Sequence, residues 1–104
     1  MLKHYKDRFP EGIIKVGHGK VLRRYPDRTE CVFHGAVIIT IYPTQLVFDC
    51  NGIKDGRMKK AMNYFLSLLD IQAVAVFNDQ SLVVRYKDLT FSEENGNGLL
   101  TFPA

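Results

Sequence analysis

The sequence predicts an α+β fold: a mostly antiparallel β-sheet of five to seven strands with one amphipathic helix, about residues 55–69, packed on one face. Two patterns carry this expectation. Short β-branched and aromatic runs recur between Gly, Pro, Asn and Asp turn signals, as strands do. One segment alone shows helical spacing, with Met58, Met62, Phe65 and Leu69 at steps of four, three and four. A chain of 104 residues, 46% hydrophobic and 24% charged, has enough apolar side chain for one core and is far from the signature of disorder.

Residues 1–12 read as a loosely ordered arm that ends at Pro10-Glu11-Gly12, leaving 13–104 as a single domain. Ile13 to Val16 and Lys20 to Tyr25 form two short strands around the Gly17-His18-Gly19 turn, and Pro26-Asp27 ends the second. Glu30 to His34 and Ala36 to Tyr42 read as one long strand with a bulge at Gly35. Its Val37–Ile41 part is nearly all β-branched, which places it centrally. After a Pro43-Thr44 turn, Leu46, Phe48 and Cys50 alternate with Gln45, Val47 and Asp49, the pattern of a strand buried on one face. Asn51-Gly52 turns the chain, Asp55 is a natural N-cap, and Ala61, Leu66 and Leu68 widen the apolar stripe of the helix. Ile71 to Phe77 and Gln80 to Tyr86 pair across an Asn78-Asp79 turn. Leu89 to Phe91 is an edge strand, Glu93 to Gly98 a polar loop, and Leu99 to Phe102 a last strand.

The net charge of +3 conceals an asymmetry. Residues 1–60 hold 12 Lys/Arg against 6 Asp/Glu, or +6, and residues 61–104 hold 2 against 5, or −3. A basic face favours an anionic partner. No apolar run approaches the ~20 residues needed to span a bilayer, so no membrane partner is expected. The polar start, Met1 to Pro10, lacks an apolar leader core; the expected location is the cytoplasm, with Cys31 and Cys50 reduced and buried.

The segments Thr29 to Gly35, Leu46 to Gly52 and Lys59-Lys60-Ala61-Met62-Asn63 resemble a family of small, uncharacterised bacteriophage and prophage proteins. From Gly52 to Asn63 the spacing matches without a gap. Ile53 stands where the family prefers tryptophan, Ala61 where arginine is usual, and Asp55, Arg57 and Met58 replace threonines. The likeness covers residues 29–102. It implies a small β-rich fold with one helix and a phage-type origin, hence a host-cytoplasmic location, and it transfers no catalytic residue.

Candidate chemistry is sparse. Cys31 and His34, with Cys50 and His18 or His4, are the nearest approach to a zinc set. Three positions apart on a regular strand, Cys31 and His34 point to opposite faces, so neither a metal site nor a Cys–His nucleophile pair is expected. Asp49 and Asp55 read as turn and cap residues rather than paired acids. Gly17-His18-Gly19-Lys20 lacks the spacing and context of a phosphate loop. The expectation is a protein without enzymatic activity, metal or cofactor.

Two basic clusters remain. Lys15, Lys20, Arg23, Arg24 and Arg28 lie in the first strands; Lys54, Arg57, Lys59 and Lys60 open the helix. Cations at a helix N-terminus cost about 0.3–1 kcal/mol each, and an anion bound beside them offsets this. The anion or nucleic-acid contacts expected are Lys20, Arg23, Arg24, Lys54, Arg57, Lys59 and Lys60, with Tyr25, Tyr42 or Tyr64 as stacking neighbours. The principal functional expectation is a phage-type accessory factor that binds a macromolecular partner, a host or phage protein, through an edge strand or the acidic Glu93-Glu94 loop. Self-association through an edge is equally compatible. Direct nucleic-acid binding is the alternative.

Overall fold

The computed structural model describes residues 9–104. Five strands follow one another as an antiparallel meander: β1 (Gly12–Gly17), β2 (Lys20–Arg24), β3 (Thr29–Phe33), β4 (Ala36–Ile41) and β5 (Gln45–Asp49). Helix α1 (Gly56–Leu68) leads to a second meander, β6 (Ala73–Asn78), β7 (Ser81–Tyr86) and β8 (Leu89–Ser92). The final strand, β9 (Leu99–Pro103), returns to pair with β5. The result is a six-stranded sheet in the order β1-β2-β3-β4-β5-β9 and a three-stranded sheet β6-β7-β8, both antiparallel. Most of the arm expected over 1–12 lies outside the described residues.

The α+β class therefore holds, but the strands divide between two sheets rather than forming one. The expected single strand from Glu30 to Tyr42 is also a hairpin. His34 and Gly35 take φ of +48° and +83°, the left-handed pair of a tight two-residue turn, and Phe33 pairs with Ala36 across it. The bulge lies further on. Val32 pairs with Val37 and Cys31 with Ile39, so Ile38 is the extra residue, and Ile38 and Ile39 are both buried. The β6–β7 turn is centred on Asp79-Gln80, one residue later than expected, with positive φ at both.

Period-two alternation builds the core. Register partners Ile14, Leu22, Cys31, Ile39, Phe48 and Leu100 form one row across all six strands of the larger sheet. The helix places Met58, Ala61, Met62, Phe65 and Leu66 in the same core, together with Ala75, Leu82, Val84 and Tyr86 of the smaller sheet. Phe102 joins the two sheets: its ring stacks on Phe91 at 4.3 Å and on Phe48 at 5.7 Å and tilts against Tyr86 at 5.5 Å. Both cysteines are free and buried. Asp55 caps the helix as expected, its Oδ1 accepting from Met58 N–H at 3.0 Å. Among the described residues no helix is long and apolar enough to cross a membrane.

Candidate functional site

Two hairpin turns and the N-terminal part of α1, Arg57 to Tyr64, meet at one corner. The β1–β2 turn, His18-Gly19, touches the β3–β4 turn: His34 N–H donates to Gly19 O at 2.8 Å. The His34 imidazole lies directly against Gly19, where an added Cβ would sit 2.4 Å from the ring, and Gly19 has φ +67°. Only glycine satisfies both the conformation and the contact. Around this junction the His18 and His34 rings stand edge to face with centroids 6.1 Å apart, and Phe33 tilts against His34 at 4.4 Å. Across from them, Tyr64 of α1 donates its hydroxyl to Val16 O. Lys20 bridges the two sides, its Nζ 4.9 Å from the Tyr64 ring centroid and 5.6 Å from that of Phe33.

These groups enclose a cleft of about 500 Å³ whose lining also includes Arg57 and Lys60. Among the described residues, three cations line it and no carboxylate does. Among the described residues, Lys20, Arg57, Lys59 and Lys60 form no ion pair. A second cleft of about 480 Å³ shares Phe33, His34 and Arg57 with the first and continues over Ala36, Asn51, Ile53, Asp55 and Met58. It is the more apolar of the two. A wider hollow of about 650 Å³ lies between α1 and the β6–β7 pair, where Asp88 offsets one of the two cations Arg85 and Lys87, so less charge is gathered than in the first cleft.

The seven basic residues expected as contacts separate in the structure. Lys20, Arg57 and Lys60 converge on the cleft, and Lys59 is exposed outside its lining. Three are otherwise engaged. Arg23 faces Glu30 at 3.0 Å on the sheet surface. Arg24 is only 7% exposed, with Nε donating to Thr29 Oγ1 at 3.2 Å and Nη1 to Phe9 O. Lys54 is an internal clamp: its Nζ donates to Gln80 O at 2.6 Å, Glu93 Oε1 at 2.9 Å and Gly96 O at 3.0 Å. Arg24 and Lys54 are therefore removed from the contact set. Each reads as a surface cation in sequence, and each is drawn inward by a carbonyl or carboxylate distant along the chain.

Glu93 is a further correction. The sequence places it in an acidic loop open to a partner, but its side chain is fully covered and receives Leu82 N–H at 2.6 Å and Gly98 N–H at 2.9 Å as well as Lys54. Burial works against its carboxylate, yet these donors prevail and hold its pKa below the usual glutamate value. Of the three tyrosines named as stacking neighbours, Tyr64 lies in the cleft, whereas Tyr25 is covered by the Arg28 guanidinium at 4.1 Å. His18, Phe33 and His34 are cleft residues that sequence spacing did not single out as contacts; the signal was the His-Gly pair common to both turns. Cys31 and His34 diverge as expected, the thiol buried and the imidazole exposed. Burial pushes both thiols up, away from the reactive thiolate. No cluster of His, Cys, Asp or Glu suited to a metal ion occurs among the described residues.

No protein-family model, no curated protein and no solved structure matches this chain.

Proposed function

We propose that this protein is a non-catalytic accessory factor that acts by binding a macromolecular partner, and that the partner is single-stranded nucleic acid. One observation carries the reading: Lys20, Arg57 and Lys60 converge, with no carboxylate among the described residues beside them, on a cleft walled by the Phe33 and Tyr64 rings. Cations tracking phosphates beside aromatic faces are the elements of sequence-tolerant single-strand binding. The cleft presents no activated nucleophile, since both thiols are buried with raised pKa, and this favours binding over catalysis. The resemblance of residues 29–102 to phage proteins is compatible with an accessory role in an infected cell.

The test is fluorescence anisotropy with labelled single strands at several salt concentrations. Three phosphate contacts predict a log–log slope of about −2, roughly a 20-fold loss of affinity between about 50 and 200 mM salt. Arg57→Glu with Lys60→Glu is expected to weaken binding at least about tenfold. Glutamate at 57 is favourable in the first turn of the helix, and Lys60, just beyond that turn, is exposed, so the variant keeps its fold. Lys59→Glu, outside the lining, is expected to have a smaller effect. Absence of binding in low salt removes the proposal.

A second reading, a protein partner joined by strand addition, rests on β1. It ends the six-stranded sheet, and Ile13 on it is 77% exposed. A partner retained by the native chain and lost on Ile13→Glu supports this reading; retention undiminished by that change sinks it.

A further inference from the structure

We propose that the second, more apolar cleft receives the base of one bound nucleotide while Lys20, Arg57 and Lys60 hold its phosphate, and that it prefers bases with an exocyclic amino group. The inference deepens the nucleic-acid reading and rests on it. The two clefts share Phe33, His34 and Arg57, so a ligand crossing between them passes from a cationic lining to an apolar one. A nucleotide has that same division, an anionic end and a flat, largely apolar base. Each volume, about 500 and 480 Å³, is within the range of small-molecule sites. Ile53 is 49% exposed, forming a wall rather than packing into the core.

The polar groups of the second cleft supply the selectivity. The Asn51 amide donates to Val37 O and Asp49 O, both at 3.3 Å, which commits its nitrogen and leaves Oδ1 as an acceptor. Asp55 Oδ1 takes Met58 N–H at 3.0 Å, and Oδ2 is left as a second acceptor. Arg57 and His34, the donors that this cleft shares with the cationic one, fall on the phosphate side, and the acceptors Asn51 Oδ1 and Asp55 Oδ2 pair with the amino groups of adenine and cytosine and meet the two carbonyl oxygens of uracil unfavourably.

The experiment measures affinities of oligoadenylate, oligocytidylate and oligouridylate of equal length for the full chain, the Ile53→Ser variant and the Asn51→Gly variant. Glycine at 51 retains the left-handed conformation that Asn51 adopts at φ +53°. The expected result is about fivefold or greater preference for adenylate and cytidylate over uridylate, lost in Asn51→Gly, with Ile53→Ser lowering adenylate and cytidylate affinity and the salt slope unchanged in both variants. Equal binding of all three, or a preference that neither variant changes, overturns the base compartment and leaves the nucleic-acid reading standing. Binding of none overturns both.

Discussion

The Asn63 carboxamide forms a closed hydrogen-bonded pair with the Ala75 backbone: Nδ2 donates to Ala75 O at 2.8 Å, and Oδ1 accepts from Ala75 N–H at 2.8 Å. A helix side chain thus stands in for a neighbouring strand along β6, the edge of the three-stranded sheet. The second amide hydrogen is used as well, on Lys59 O at 3.0 Å within the helix. Asn63 is therefore fixed from both sides. It orients α1 against the smaller sheet and shields backbone groups that would otherwise invite another chain.

Asn63→Ala leaves the Ala75 N–H and C=O unmatched at a half-buried place, which should cost about 1–3 kcal/mol. For a chain of this size that is a fall in Tm of roughly 4 °C or more. Asn63→Asp keeps the acceptor for Ala75 N–H but sets a carboxylate oxygen against the Ala75 and Lys59 carbonyl oxygens, so it should cost at least as much as alanine. Sedimentation should also show more self-association in the alanine variant. A Tm unchanged by alanine would mean the pair contributes nothing.

The Lys54–Glu93 clamp predicts acid sensitivity. The folded-state pKa of Glu93 is lowered, so the unfolded chain takes up the proton first as pH falls. The stabilisation is present above the unfolded value of about 4.3 and is lost as pH drops through the folded one. Denaturant titrations across this window should show a steep acid limb in the native chain. Glu93→Gln should be less stable at neutral pH, by about 1–3 kcal/mol, with a flatter limb. Parallel limbs would assign the acid loss to other carboxylates.

Gly98 should be irreplaceable while Cys50 is present. A Cβ at Gly98 would lie 2.1 Å from the buried Cys50 Sγ, and the residue has φ +75°. Gly98→Ala combines overpacking, about 1–3 kcal/mol, with a left-handed conformation that alanine disfavours. Adding Cys50→Ala removes the clash but not the backbone strain. Partial rescue in a double-mutant cycle is the expected outcome, and strict additivity would refute the contact.

Tyr86 offers a change in the other direction. Its hydroxyl is sealed from solvent and has no hydrogen-bond partner among the described residues, while its ring packs on Phe102. Tyr86→Phe removes an unsatisfied polar group and keeps the packing, so stability should hold or rise by up to about 1 kcal/mol. A clear loss on chemical denaturation would reveal a partner for the hydroxyl.

What the sequence determined by itself was local. Period-two alternation located the strands, four-three-four spacing located α1, and Asp55 was legible as its cap because capping needs only a side chain three residues before the N–H it satisfies. At positions 34 and 35 the same reasoning failed. A glycine between two β-branched runs is compatible with a bulge or a hairpin, and the choice depends on whether Phe33 and Ala36 can face each other, a pairing made across the sheet. Tertiary structure alone decided which charges are free. Arg24 and Lys54 resemble Arg57 and Lys60 in sequence, yet Lys54 meets Gln80, Glu93 and Gly96, all more than 25 positions away. Likewise, His18 and His34 become neighbours only because β2 and β3 bring their two turns together at Gly19. Short-range patterns are written in the spacing of side chains; desolvation and charge pairing depend on what the folded chain places nearby.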